Sequence, residues 1–243
     1  VPWAGRTLQP NAFATDDGTR SVALGVALAA WQETVGGIER VRAEGGVIAA
    51  LATSRVFAPV VAELAELAPA GAGAVAGDKS ADMALALLVQ PDGRRGLPLF
   101  SDLAALTSWR PDARPVPVPA GQAALSGVQE ECDVLVLDPA GPVPFVVRRS
   151  AFWALARGSA WVPAPLDPAV VDAVQQAVSR LDAVRGVRCE PGESAELRVV
   201  LGVRPGLSRP ALDEVLTVVG ARLATGLVAE RAESLEFRVL SAS

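Results

Sequence analysis

Apolar positions recur at helical spacing over residues 22–31 and again over 38–51, which predicts two helices near the start of the chain. Residues 1–20 are rich in Pro, Asp and Gly and read as an extended arm leading into them. A short apolar run at 56–61 predicts a strand, with Pro59 suited to an edge or a strand end. Residues 83–89 form a second apolar run, Pro91-Asp92-Gly93 supplies a turn, and 97–100 return as a strand, so a hairpin is expected. Ser101 then stands where a helix over 102–106 needs its N-cap, with Leu103, Leu106 and Trp109 expected on the inner face. A weak strand at 116–118 and a helix over 123–129 lead to the strong strand 133–138. Pro139-Ala140-Gly141-Pro142 turns that strand into 145–147 as a second hairpin, and a short helix carrying Phe152, Trp153 and Leu155 follows. Trp109 and Trp153 are expected to pack in the core.

Residues 161–166, with two prolines, read as a linker. Beyond it Asp167 and Pro168 occupy the favoured first positions of a helix whose apolar stripe runs from Val170 to Leu181. Strands at 187–190 and 196–203 flank the turn Pro191-Gly192, and the second alternates cleanly through Leu197, Val199, Leu201 and Val203. Ser208 opens a helix with Leu212, Val215, Val219 and Leu223 inward and Gly226 near its stop, and Leu235, Phe237 and Val239 make a last strand. The expected fold class is α+β. An N-terminal domain over 21–162 carries a mixed sheet built from hairpins with helices between them. A small α-β-β-α-β domain follows over 167–243.

Composition narrows the chemistry. The 243 residues include no His, which excludes Ser-His-Asp and Cys-His nucleophiles, a His general base and His-ligated metals. The two cysteines, Cys132 and Cys189, fall in different expected domains and read as small buried hydrophobes, so neither a zinc site nor a disulfide is expected. A net charge of -5 argues against nucleic-acid binding. No apolar run approaches the roughly 18 residues of a membrane span, and the start of the chain lacks a basic patch followed by an apolar stretch. A cytoplasmic protein away from membranes is expected. Among the 22 Lys and Arg residues only Lys79 is Lys, which singles it out.

Three stretches carry a family likeness: Asp78-Lys79-Ser80-Ala81-Asp82-Met83-Ala84, Leu97-Pro98-Leu99-Phe100-Ser101-Asp102-Leu103, and Leu135-Val136-Leu137-Asp138-Pro139. Together with Trp3-Ala4-Gly5-Arg6 and Asn11-Ala12-Phe13 they resemble the SseB protein family, the enhanced serine sensitivity group, in its actinobacterial form. The tail from Asp167 onward is similar to the family's C-terminal domain, so the likeness covers both halves. One departure is Phe100-Ser101-Asp102, where the family usually has Phe-Thr-Ser. The resemblance carries no catalytic residue across and implies only a link to serine tolerance.

Other motifs fail on context. Gly71-Ala72-Gly73-Ala74-Val75-Ala76 matches a dinucleotide pattern but follows a helix-like stretch, so a loop is the better reading. Gly77-Asp78-Lys79-Ser80 lacks the Gly directly before Lys that a phosphate loop needs. Asp16-Asp17-Gly18 is a turn without calcium-loop spacing. The sharpest polar cluster is Lys79 with Ser80, Asp78 and Asp82, able to hold a small anion or both ends of an amino acid, to use a buried Lys79 as a base or Schiff-base nucleophile, or merely to form an ion pair on the surface. With Phe100 and Ser101 on the second hairpin strand it defines a candidate groove. Trp3 and Phe13 on the arm could anchor a partner. The expected function is a non-enzymatic interaction or regulatory module without cofactor, its partner a protein. The alternatives are a sensor for an amino acid or phosphate metabolite, and an enzyme without His chemistry.

Overall fold

The structure is a computed structural model that describes residues 13–63 and 82–242. Ser21 caps α1 (Val22–Glu33) by accepting the Leu24 N–H, and a short turn leads into α2 (Gly37–Ala52). These are the two helices the periodicity predicts. Arg40 locks the turn between them, stacking 3.5 Å from the Trp31 ring centroid and donating to the Thr34 carbonyl.

β1 (Arg55–Glu63) lies between β2 (Asp82–Leu85) and β5 (Arg114–Pro119), antiparallel to both. A central strand with proline corrects the expectation that Pro59 marks an edge. The ladder with β2 begins only at Val60, and Pro59 stands at its end, where its carbonyl accepts the Ala86 N–H and only the return bond is lost. The apolar run 83–89 is likewise not one strand. It breaks after β2, and its second part, β3 (Leu88–Val89), pairs with β4 (Arg95–Leu99) in another sheet. The Pro91-Asp92-Gly93 turn does connect β3 to β4, with Gly93 at φ 87°.

The second sheet has the order β3-β4-β6-β7, where β6 (Val134–Leu137) runs parallel to β4 and forms the expected hairpin with β7 (Phe145–Val147). The mixed sheet is therefore present, but the N-terminal strands divide between two sheets joined by a bridge from Phe57 to Phe100. α3 (Leu103–Trp109) follows β4, α4 (Ala120–Gln129) precedes β6, and α5 (Arg149–Ala156) follows β7. α4 comes so close to the sheet that a Cβ on Gly127 would meet Leu97 and Phe152 at 3.2 Å. Leu24, Leu28, Val47, Ile48 and Leu51 of the helical pair share one core with Leu97, Leu99, Leu135, Leu137 and Phe145. Two expected core residues face outward. Leu103 is 37% exposed because α3 turns Leu106 inward instead, and Trp153 is 37% exposed while its neighbour Phe152 fills the core.

A 3-10 turn at Ala164–Leu166 leads to α6 (Pro168–Val178), capped by Asp167 as expected. β8 (Val184–Pro191) pairs antiparallel with β9 (Leu197–Val203), which pairs parallel with β10 (Leu235–Ser241). Between β9 and β10 lie α7 (Arg209–Leu223) and a short α8 (Leu227–Arg231) that the pattern did not predict. A second core gathers Val170, Val174, Val199, Leu201, Val219 and Leu223. The alternation of β9 is realised as read. Both thiols are free, and burial pushes Cys189 up to about 11, so it behaves as a hydrophobe.

A carboxylate joins the two halves where they meet. Arg148, just ahead of α5, pairs with Glu44 of α2 at 2.6 Å within the first half, and the next residue's N–H, that of Arg149, donates across to Glu233. The Glu233 N–H in turn donates to Glu196 Oε2 at 2.8 Å, while Glu196 Oε1 is buried with no partner among the described residues. Burial raises this carboxyl above its ordinary 4.5. A folded-state pKa above the unfolded one contributes stability at low pH that is lost as pH rises through the raised value. Glu196→Gln abolishes that loss. Urea unfolding is expected to find the variant's advantage over wild type larger at about pH 8 than at about pH 4. An advantage that shrinks with pH would contradict the assignment.

Candidate functional site

β4 and β6 run parallel and side by side, so their carboxyl ends open on the same edge of the sheet. That edge is where ligands of α/β sheets sit, because the loops there leave the strands in diverging directions. Here the loops are Phe100-Ser101-Asp102 and Asp138-Pro139-Ala140.

Every polar atom of Ser101 is engaged across these loops. Its N–H donates to Asp138 Oδ1 at 2.8 Å and its hydroxyl to Asp138 Oδ2 at 2.6 Å. The same hydroxyl accepts from Arg20 Nε at 2.7 Å, and the Ser101 carbonyl accepts from Arg55 at 3.0 Å. Ser101 is fully buried and Asp138 is 6% exposed. Asp138 adopts φ 49°, a left-handed conformation that Asp tolerates at a cost of about 1–2 kcal/mol. Two charge-assisted hydrogen bonds, each contributing about 1.5–3 kcal/mol when buried, offset that strain.

The arginines come from elsewhere in the chain. Arg20 lies just ahead of α1 and reaches Asp138 and Asp102 at 3.2 Å each. Arg55 opens β1 and holds Asp16 at 2.7 Å, and it donates to the Thr19 carbonyl as well. The Arg55 guanidinium keeps the Asp16 carboxyl below the usual carboxylate range. The Asp16-Asp17-Gly18 turn therefore serves as an anchor: Asp16 also accepts the Gly18 N–H, and Gly18 at φ 80° accommodates Leu103 where a side chain would clash.

Above this network a groove of about 280 Å³ opens between α1, α3 and the β6–β7 turn. Arg20 and Asp102 bring opposite charges to it, Gln32 and Ser108 add neutral polar groups, and Leu28 and Val143 are apolar.

The residues singled out from sequence meet different fates. Ser101 is no N-cap. Asp102 caps α3, accepting the Ala105 N–H at 2.7 Å, because the Ser101 hydroxyl is turned toward Asp138 instead. Phe100 is buried under Trp109, its ring centroid 5.2 Å away, and contributes packing. Asp82 opens β2 opposite Glu63. Phe13 is half-buried in the turn ahead of Asp16. Trp3, Lys79 and Ser80, together with the Gly71–Ala76 and Gly77–Ser80 motifs, lie outside the described residues. Sequence reasoning passed over Arg20, Gln32, Asp102 and Asp138 as site residues. The available signal was an Asp ending a strongly apolar strand, where a carboxylate has little reason to stand unless the edge needs it.

Two of the stretches that carry the family likeness, 97–103 and 135–139, thus end against each other through Ser101 and Asp138. The model of the SseB protein N-terminal domain matches residues 24–154, just over half the chain. The chain belongs to the SseB family. No curated protein and no solved structure matches it. In this SseB-family chain the match spans the sheet that carries the groove, while Arg20 stands just ahead of it. Among the described residues no helix is long and apolar enough to cross a membrane, and no cluster of ligating side chains could hold a metal ion.

The network predicts an order of stabilities. Asp138→Ala strands the buried Ser101 N–H and hydroxyl and is expected to cost about 3–5 kcal/mol. Asp138→Asn keeps an acceptor, and Ser101→Ala leaves the Asp138–Arg20 pair, so each is expected to cost about 1–2 kcal/mol. Urea unfolding measures all three, and an Asp138→Ala within 1 kcal/mol of wild type would refute the network's role.

Proposed function

We propose that this SseB-family protein is a non-enzymatic interaction module that docks a protein partner in the groove between α1 and α3. The observation that carries this reading is the convergence of Arg20 and Asp102 with Leu28 and Val143 in an open groove built by separate chain segments. Such a groove is pre-organised, since Arg20 and Asp102 are already fixed by the Ser101–Asp138 network before anything binds. Its mixed character suits a polar group flanked by an apolar one. Exposed Val22 and Val26 on the outer face of α1 extend the apolar surface available to a macromolecule.

The chemistry of Ser101 supports binding over catalysis. Its hydroxyl contacts a carboxylate, as a nucleophile's would, but it is fully buried and also accepts a guanidinium N–H, which draws electron density from the oxygen. A second reading, a small-ligand sensor, is favoured by the presence of both charges in a 280 Å³ space. Arg20 could take the carboxylate of an amino acid and Asp102 its amine, in keeping with the serine link the family resemblance implies. The protein is proposed to act in the cytoplasm.

One experiment separates these readings. A photo-crosslinking residue at Ser108 is expected to trap a protein adduct in host cells, and Ala104→Trp, which fills the groove from an exposed position, is expected to abolish it. A thermal shift specific to serine or another amino acid, about 2.7 kcal/mol at 100 times Kd and lost in Ala104→Trp, would establish the sensor instead. With neither an adduct nor a shift, the groove is not a binding site.

A further inference from the structure

The C-terminal sheet presents a second surface with different chemistry. Alternation along β9 sends Leu197, Val199, Leu201 and Val203 into the helix-covered core, so Val200 and Gly202 face the other way. The ladders extend these positions into rows: Arg188 and Arg238 flank Val200, and Gly186 and Leu240 flank Gly202. A groove of about 420 Å³ follows this end of the face. Gly186 and Gly202 give it a floor without side chains, half-buried Leu240 gives it an apolar side, and Val200 lies buried beneath it at 2% exposure.

Charge is sorted along the same face. In the row Glu190–Arg198–Glu236 two carboxylates flank one guanidinium, with Arg198 bonded to Glu236 at 2.7 Å and to Glu193 at 2.8 Å, so this end is acidic. At the opposite end Arg185 stands in the β8 bulge and lines the groove, Arg238 is exposed on β10, and Arg204 follows β9. Among the described residues none of these three forms an ion pair, and Arg188 is shared with Glu190 at 2.5 Å. In a chain of net charge -5, this is a local positive field beside an apolar trough.

We propose that this groove docks an acidic, extended segment of a partner protein. Its carboxylates would meet Arg185, Arg204 and Arg238, and its intervening apolar side chains would settle over Gly186 and Gly202 against Leu240. Arginine suits the task because its planar fork matches a carboxylate bidentately. A nucleic acid fits less well. Bases need aromatic platforms, and Phe237, the aromatic residue of β10, is packed toward the core on the helix side. A lone anion would leave the apolar trough unused.

Fluorescence anisotropy on the full chain tests this with a labelled octapeptide of alternating Glu and Leu. Its counterpart with Lys for Glu, an oligothymidylate of equal length and inorganic phosphate serve as comparisons. The acidic peptide is expected to bind, and the Arg185→Glu/Arg238→Glu variant to bind it about tenfold more weakly. Arg94→Glu, a reversal on the distant β3–β4 turn, is expected to leave binding unchanged. Far-ultraviolet circular dichroism checks folding, with Arg185→Gln/Arg238→Gln as the milder pair if the reversal unfolds the chain. The proposal falls if the acidic peptide does not bind, if both double variants bind it as wild type does, or if the oligothymidylate or phosphate displaces it.

Discussion

The Asp138 carboxylate accepts both the N–H and the hydroxyl of Ser101, and the arrangement of the N-terminal half follows from that contact. A buried carboxylate is expensive unless its charge is paired and its lone pairs are used. Asp138 meets both conditions through Ser101 and Arg20, and the contact closes the carboxyl ends of two parallel strands on each other. Arg20 thereby fixes where α1 begins, and Arg55 ties β1 of the neighbouring sheet to the Ser101 carbonyl. The left-handed backbone at Asp138 is the strain this arrangement stores, and it lies where the groove floor forms.

The groove owes its character to the same contact. Were Ser101 the N-cap of α3, its hydroxyl would satisfy a helix N–H and Asp102 would be free to rotate away. With Asp102 as the cap, its carboxylate stands beside Arg20 on the groove wall. The site has opposite charges fixed in one place, which is suited to recognition. The two halves of the chain differ in the same respect: the first concentrates paired charges around a closed node, while in the last sheet Arg185, Arg204 and Arg238 form no ion pair among the described residues.

Local pattern carried much of the fold. Helices α1, α2, α6 and α7 have the period their apolar residues show, and the Pro-Ala-Gly-Pro turn does join β6 to β7. The alternation of β9 even identifies the face left away from the helices. What remained hidden was long-range. Residues 83–89 are uniformly apolar, so nothing local marks where the chain leaves β1 for β4. Pro59 reads as an edge residue because the pattern does not reveal that the ladder with β2 begins one position later. Ser101 and Asp138 are 37 positions apart; Ser101 has a sufficient local explanation as a cap, and Asp138 at the end of its strand does not name its partner. Lys79 stands out by rarity and by its polar neighbours in sequence, neither of which is a statement about geometry.

Amide hydrogen exchange of Ser101 under native conditions tests the central claim most directly. Its N–H is buried and bonded to a carboxylate, in a loop where amides ordinarily exchange fast. The account predicts protection equal to that of the Leu99 and Leu137 amides in the adjoining strands, and loss of that protection in Asp138→Ala while the strand amides stay slow. A Ser101 amide that exchanges in wild type as rapidly as those of the exposed Pro91-Asp92-Gly93 turn would contradict it.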